Sequence, residues 1–245
     1  MRYDSPIRYL ARLWLDVAPM RPTDAVFARA RELLRRNDLG TGVGQDAAFG
    51  QRPALGDRSG LQIVLPGESF DVATVPTVGD DGRDQPMLSF ERFAEQAATY
   101  MVAFTQGFER EAYRLALVRE GFVAMPTTTM EELPRRVLRV PEPFASHPPF
   151  EWDWRLVSRV SRAFGGVEEP LNTAATLKRA SGAFLRPVLG TQPFDKVRLD
   201  LDISTSHERS NPRFNAGQVE AFFSSCLRWQ NELWSQLEQA FQLED

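Results

Sequence analysis

The chain is poor in the residues on which many hydrolases and metal enzymes are built. Its 245 residues include one cysteine, Cys226, and two histidines, His147 and His207. One thiol excludes an intrachain disulfide and a cysteine-rich zinc site. Neither histidine stands in a His-Glu-x-x-His pattern, and no serine sits in a Gly-x-Ser-x-Gly elbow. Lys178 and Lys196 are the only lysines; every other basic position is arginine. That bias suits forked contacts to carboxylates and phosphates, but reads first as the trace of a GC-rich genome. No apolar run is long enough to span a bilayer. Met1–Pro6 is polar and leads into a strand-like segment without a signal-peptide core. These absences predict a cytoplasmic protein with no membrane association. The net charge of −4 disfavours general nucleic-acid binding without excluding a local basic patch.

What is present is ordinary globular composition, 42% hydrophobic and 25% charged, in a chain long enough to bury a sizeable core. Ile7, Tyr9, Ala11, Leu13 and Leu15 alternate with polar residues, as in a strand with one buried face. Pro22-Thr23-Asp24 opens a helix to about Arg36. Residues 40–60 are expected as a long loop, with at most one short strand near 48–51. Leu61–Leu65 and Phe70–Val75 read as a hairpin, followed by a turn at 79–84 and a short strand at Met87–Phe90. A helix is predicted from Phe90 to about Arg110, weakened at Gly107, then a strand at Tyr113–Met125. Thr128-Thr129-Met130-Glu131 has the form of a capping box and starts a short helix. Pro141–Pro149 is expected as an extended connector. Two strands, 154–164 and 171–180, flank Gly165-Gly166, and 181–194 is expected as a loop. The chain closes on a strand at 197–203 and a long amphipathic helix from about Ala216 to Phe241.

This order predicts an α+β fold: an antiparallel sheet with helices on one face and a long C-terminal helix. One compact domain, 1–245, is expected. Its halves, 1–110 and 111–245, resemble a duplicated β-α-β-β unit of ferredoxin-like type.

Few side-chain groupings carry chemistry. Asp200 and Asp202 project to one face of their strand, with His207 and Glu208 in the next loop. Such a set holds Mg²⁺ or Mn²⁺ only if His207 folds back; otherwise the two carboxylates are simply the solvent face of an amphipathic strand. Gly40-Thr41-Gly42-Val43-Gly44 follows a helix rather than a strand and has no Lys-Ser/Thr pair. It therefore reads as a flexible loop, not a phosphate cradle. No cofactor is expected. Trp152 and Trp154 share a strand face, and Arg155, Arg159 and Arg179 lie where the same sheet surface would offer arginines and stacking aromatics to RNA. On the final helix Phe222 and Phe223 are adjacent, and Trp229 and Trp234 lie on different sides. A helix apolar on more than one side is doubly buried or binds a partner. Phe222, Phe223, Trp234 and above all Trp229, expected to project, are the candidate contacts for a protein partner or for self-association.

The strand Arg114-Leu115-Ala116-Leu117-Val118-Arg119, the strand Leu199-Asp200-Leu201-Asp202-Ile203, and the closing helix with Phe222, Phe223 and Trp234 resemble a family of uncharacterised bacterial proteins of about this length, sporadically distributed among genomes. Gly121-Phe122 departs from the family's Tyr-x-Asn pair. The resemblance implies no catalytic residues. A patchy distribution is that of accessory or defence genes. The leading expectation is a non-catalytic binding or assembly protein acting through protein–protein contact. An RNA-binding or RNA-processing protein is the alternative, and a metal-dependent hydrolase at Asp200, Asp202 and His207 comes third.

Overall fold

A computed structural model describes residues 2–15, 23–46, 50–65, 69–79, 84–124, 127–137, 141–142, 146–147, 149–186 and 190–240. The period-two pattern at the start of the chain becomes β1 (Arg2–Leu15), with Tyr9, Ala11, Leu13 and Leu15 buried. Helix α1 (Asp24–Leu34) follows; the Thr23 hydroxyl accepts from the Val26 amide at its N-terminus. Four strands come next: β2 (Gly40–Asp46), β3 (Gly50–Gly56), β4 (Leu61–Val64) and β5 (Ser69–Thr74). The two-residue strands β6 (Thr77–Val78) and β7 (Asp84–Gln85) pair with each other. Helix α2 (Phe90–Gly107) is capped by Ser89 and leads to β8 (Ala112–Ala124) and α3 (Thr127–Val137). The long strands β9 (Asp153–Phe164), β10 (Val167–Arg186) and β11 (Gly190–Thr205) then precede helix α4 (Ala216–Ala240). Asn215 and Gln218 cap α4 reciprocally: each side-chain oxygen accepts from the other's backbone amide, at 3.1 and 2.9 Å.

Nine strands form one antiparallel sheet in the order β2-β3-β4-β5-β1-β8-β11-β10-β9. In each half the first strand pairs with the last strand of its own meander, β1 with β5 and β8 with β11. The two first strands pair with each other at the centre. The halves thus repeat an order of β, α, meander and α. Compared with β-α-β-β, the meander is longer by two strands in the first half and by one in the second.

The helices pack on one face of this sheet. Helices α2 and α4 lie side by side on it, α2 over β5, β1 and β8 and α4 over β8, β11 and β9, so α4 is buried both by the sheet and by α2. Both Phe222 and Phe223 are therefore fully buried, as are Val219 and Cys226. Phe241, the expected end of the helix, lies outside the described residues. A ring cluster ties α4 to the end of β9: Phe164 stands 5.4 Å from Phe222 and 6.2 Å from Trp229. Met130 and Leu133 of α3 join Leu177, Leu199 and Leu201 in a second apolar cluster on the same side.

Three local expectations change. Where a loop was expected, β2 and β3 pair as antiparallel strands from Gly40↔Gly56 to Asp46↔Gly50. The glycines at 40, 42 and 44 fall on one face of β2; a Cβ at Gly44 would stand 2.6 Å from Val64 Cγ2 and 2.8 Å from Ala54 Cβ. Close approach explains Gly44; a Cβ at Gly42 would meet nothing within 4 Å, and one at Gly40 only Gly56 O at 3.8 Å. Residues 87–89 are not a strand, because α2 begins at Phe90 straight after its Ser89 cap. Much of 181–194 is strand, since β10 and β11 pair out to Arg186 and Gly190. The expected turn at 80–83 and much of the connector at 141–149 lie outside the described residues.

Candidate functional site

The sheet face turned away from the helices is built of charge. Cross-strand neighbours share a face, so the register places Arg8 beside Glu120, Arg12 beside Asp71, and Glu120 beside Asp200. Arg12 donates through both Nε (2.6 Å) and a terminal nitrogen to the buried carboxylate of Asp71. Arg8 pairs with Glu120. Arg198 bridges Glu120 at 3.0 Å and Asp200 at 2.6 Å. The guanidinium of Arg114 stacks on Trp14, 4.3 Å from the ring centre.

Within this layer Asp202 is the outlier. Its Oδ1 is sealed from solvent and accepts no hydrogen bond among the described residues. Burial pushes its pKa from an ordinary 3.8 up to about 6, against the opposing pull of Arg114, Arg155 and Arg12. Burial likewise raises the Asp200 carboxyl, opposed by Arg198. Both aspartates lie on the face away from the core, as expected, but neither is freely solvated. His207 is exposed, in the loop after β11, and does not complete a metal site with them. Among the described residues no three His, Cys, Asp or Glu side chains converge as a metal would require. Arginines surround the aspartates and disfavour a cation there.

The proposed RNA surface comes apart. Trp152 is buried and Trp154 half-buried against Leu177, Leu199 and Leu237, on the helix-covered side. Arg155 and Arg159 project from the opposite face, since they stand opposite Thr176 and Asn172. Arg159 is engaged by Glu208 at 3.0 and 3.1 Å. Arg179, paired with Asp195, has the same facing as Trp154, not as Arg155. Arg155 and Arg159 stand an odd number of residues from Trp154, so they cannot share its strand face.

The last helix also offers less than expected. Trp229 is only 5% exposed and packs on Phe164, with Arg162 over its ring. It is core, not a projecting anchor. Phe222 and Phe223 are buried, and Trp234 is half-buried with Arg119 above its ring.

The exposed feature that the sequence did not flag is β9. Among the described residues β10 is its only strand neighbour. From Arg155 to Ala163 every residue is exposed, including Leu156 (56%), Val157 (50%) and Val160 (39%). Next to it a crevice of about 100 Å³ runs under α4, with Val160, Leu171, Ile203 and Trp229 in its wall. One signal was available: Leu156-Val157 and Arg159-Val160 break the clean alternation of a strand with one buried face, which is how an edge strand reads.

Fold and surface together define an open-faced antiparallel α+β protein whose uncommitted surface is a strand edge. No family model matches the chain, and no curated protein matches it in sequence. Among the described residues, no helix is long and apolar enough to cross a membrane.

Proposed function

We propose that the chain is a non-catalytic binding or assembly protein that takes up a protein partner by adding a strand to the edge of β9. The observation that carries this is the 12-residue length of β9, exposed along one side with three aliphatic residues on view. Such an edge presents a row of free N–H and C=O groups, and main-chain bonding to it supplies affinity while side chains supply specificity. The partner surface thus moves from the aromatics of α4, which are committed to the core, to the sheet edge. We also infer membership of the sporadically distributed bacterial family. Support comes from its two motif strands being neighbours, with Leu117 opposite Ile203. A partner encoded in the same accessory or defence operon is then the first to seek.

The test is affinity capture from the native host, repeated with the purified partner. Leu156→Lys/Val160→Lys should lose the partner with its thermal melt unchanged, because both side chains are exposed. Val43→Lys, on the opposite edge strand, should retain it. Full binding by the double variant would remove the edge reading. An RNA-binding role keeps one supporting observation, the exposure of Arg155 and Arg159. It would take first place if RNA bound tightly, with a salt dependence reduced by Arg155→Ala and Arg159→Ala.

A further inference from the structure

Resting on that reading of β9, we infer that its occupant is β9 of a second copy of this chain, paired antiparallel about a two-fold axis through Ser158. The backbone fixes which groups are free. Gly165 and Gly166, with φ of 54° and 80°, make a two-residue turn between Phe164 and Val167, so Phe164 and Val167 bond to each other. Antiparallel ladders alternate, and the even residues of β9 therefore bond to β10. The far end of the hairpin keeps the same phase: the Arg179 amide donates to the carbonyl of Trp152 at 3.1 Å. The odd residues, from Asp153 to Ala163, thus aim their N–H and C=O groups outward.

A two-fold axis perpendicular to the sheet keeps helix-side residues beside helix-side residues, so it must pass through a residue. Centred on Val157, the pair would set Arg155 against Arg159 of the other copy, and like charges directly opposite are destabilising. Centred on Ser158, no arginine meets an arginine. Arg155 faces Ser161, Arg159 faces Val157, and Leu156 faces Val160 twice over. Those aliphatic pairs fall in the non-hydrogen-bonded positions, where side chains approach most closely. This register uses all of 153–163 and joins two nine-stranded sheets into one continuous sheet, with helices on the same side in both copies.

The wild-type chain should sediment at twice its 27.7 kDa, and Leu156→Lys/Val160→Lys at the single mass. Ser158→Cys places two thiols opposite each other at a separation a disulfide can span; mild oxidation should give a covalent dimer on a non-reducing gel. Ser161→Cys should give none, since its counterpart lies six residues along the strand, roughly 20 Å away. Cys226 is buried and does not compete. A wild type that is monomeric up to its solubility limit overturns the self-pairing. So does cross-linking through Cys at 161 as readily as at 158. If the wild type is monomeric and the lysine variant still loses its captured partner, self-pairing alone is wrong. If that variant also keeps its partner, the edge reading falls with it.

Discussion

Gln230, midway along α4, donates its side-chain amide to the backbone carbonyl of Leu117 in β8, 2.7 Å away, and lies 3.4 Å from the carbonyl of Leu201 in β11. The side chain is fully buried. One amide thus pins the rotation of the helix over two adjacent strands. Replacing Gln230 with Leu deletes the donor and leaves the Leu117 acceptor facing an apolar neighbour. The expected loss is about 1–2 kcal/mol, read from urea denaturation at constant m-value. A variant as stable as the wild type would show that packing alone orients α4.

The Arg12–Asp71 pair should behave differently from surface ion pairs. Asp71 is 2% exposed and takes two donors from Arg12. Arg12→Ala takes the countercharge from a buried carboxylate and should cost on the order of 3–5 kcal/mol. Adding Asp71→Asn to that variant should recover part of the loss. A double-mutant cycle with near-zero coupling would contradict this arrangement.

Asp202 gives the fold a pH dependence of definite sign. Its carboxyl titrates near 6 when folded and near its ordinary 3.8 when unfolded, so the folded state holds the proton more tightly. Its neutral form is tolerated below about pH 4. Stability is then lost as pH rises from about 4 through 6, because the unfolded chain ionises more readily. Asp202→Asn should leave stability nearly unchanged at pH 4 and raise it at pH 7.5 by on the order of 1–3 kcal/mol. Equal effects at both pH values would show that the carboxyl is not perturbed.

Gly107 looks like a flaw in a helix but sits where α2 meets α1. A Cβ there would lie 2.2 Å from Leu33 Cδ2. Gly107→Ala should therefore destabilise by about 1–3 kcal/mol, although helix propensity alone favours alanine by about 1 kcal/mol. A stabilised variant, measured by thermal melting, would mean that Leu33 moves aside freely.

Periodicity carried most of the architecture. The alternation of Tyr9, Ala11 and Leu13, the stripe of α2, and the Val197–Ile203 strand all appear where the residue pattern predicts them, because each has one face in the core. What periodicity missed were segments whose residues answer to shape. Gly40, Gly42 and Gly44 carry no side chains to alternate, and residues 181–186 and 190–194 extend a strand pair whose length only partner pairing reveals. The candidate site was the least legible part. Trp229 looked like an anchor because a helical wheel shows that a side chain leaves the main stripe, but not that α2 or the end of β9 is waiting there. Similarly, Arg155 and Trp154 looked like one surface because adjacency in sequence hides the pleat.

The central pairing of β1 with β8 also sets a clock on synthesis. Arg8 and Glu120 are 112 residues apart, so the first strand leaves the ribosome roughly 6–22 s before its second neighbour, at ordinary elongation rates. During that interval the N-terminal meander has β1 as an unpaired edge, rich in backbone donors and acceptors. Only when β8 arrives does this edge close, and β11 can then extend the sheet. The nascent chain thus passes through a stage in which a strand central to the finished sheet is its adhesive edge, and slowing translation between residues 15 and 112 would prolong that exposure.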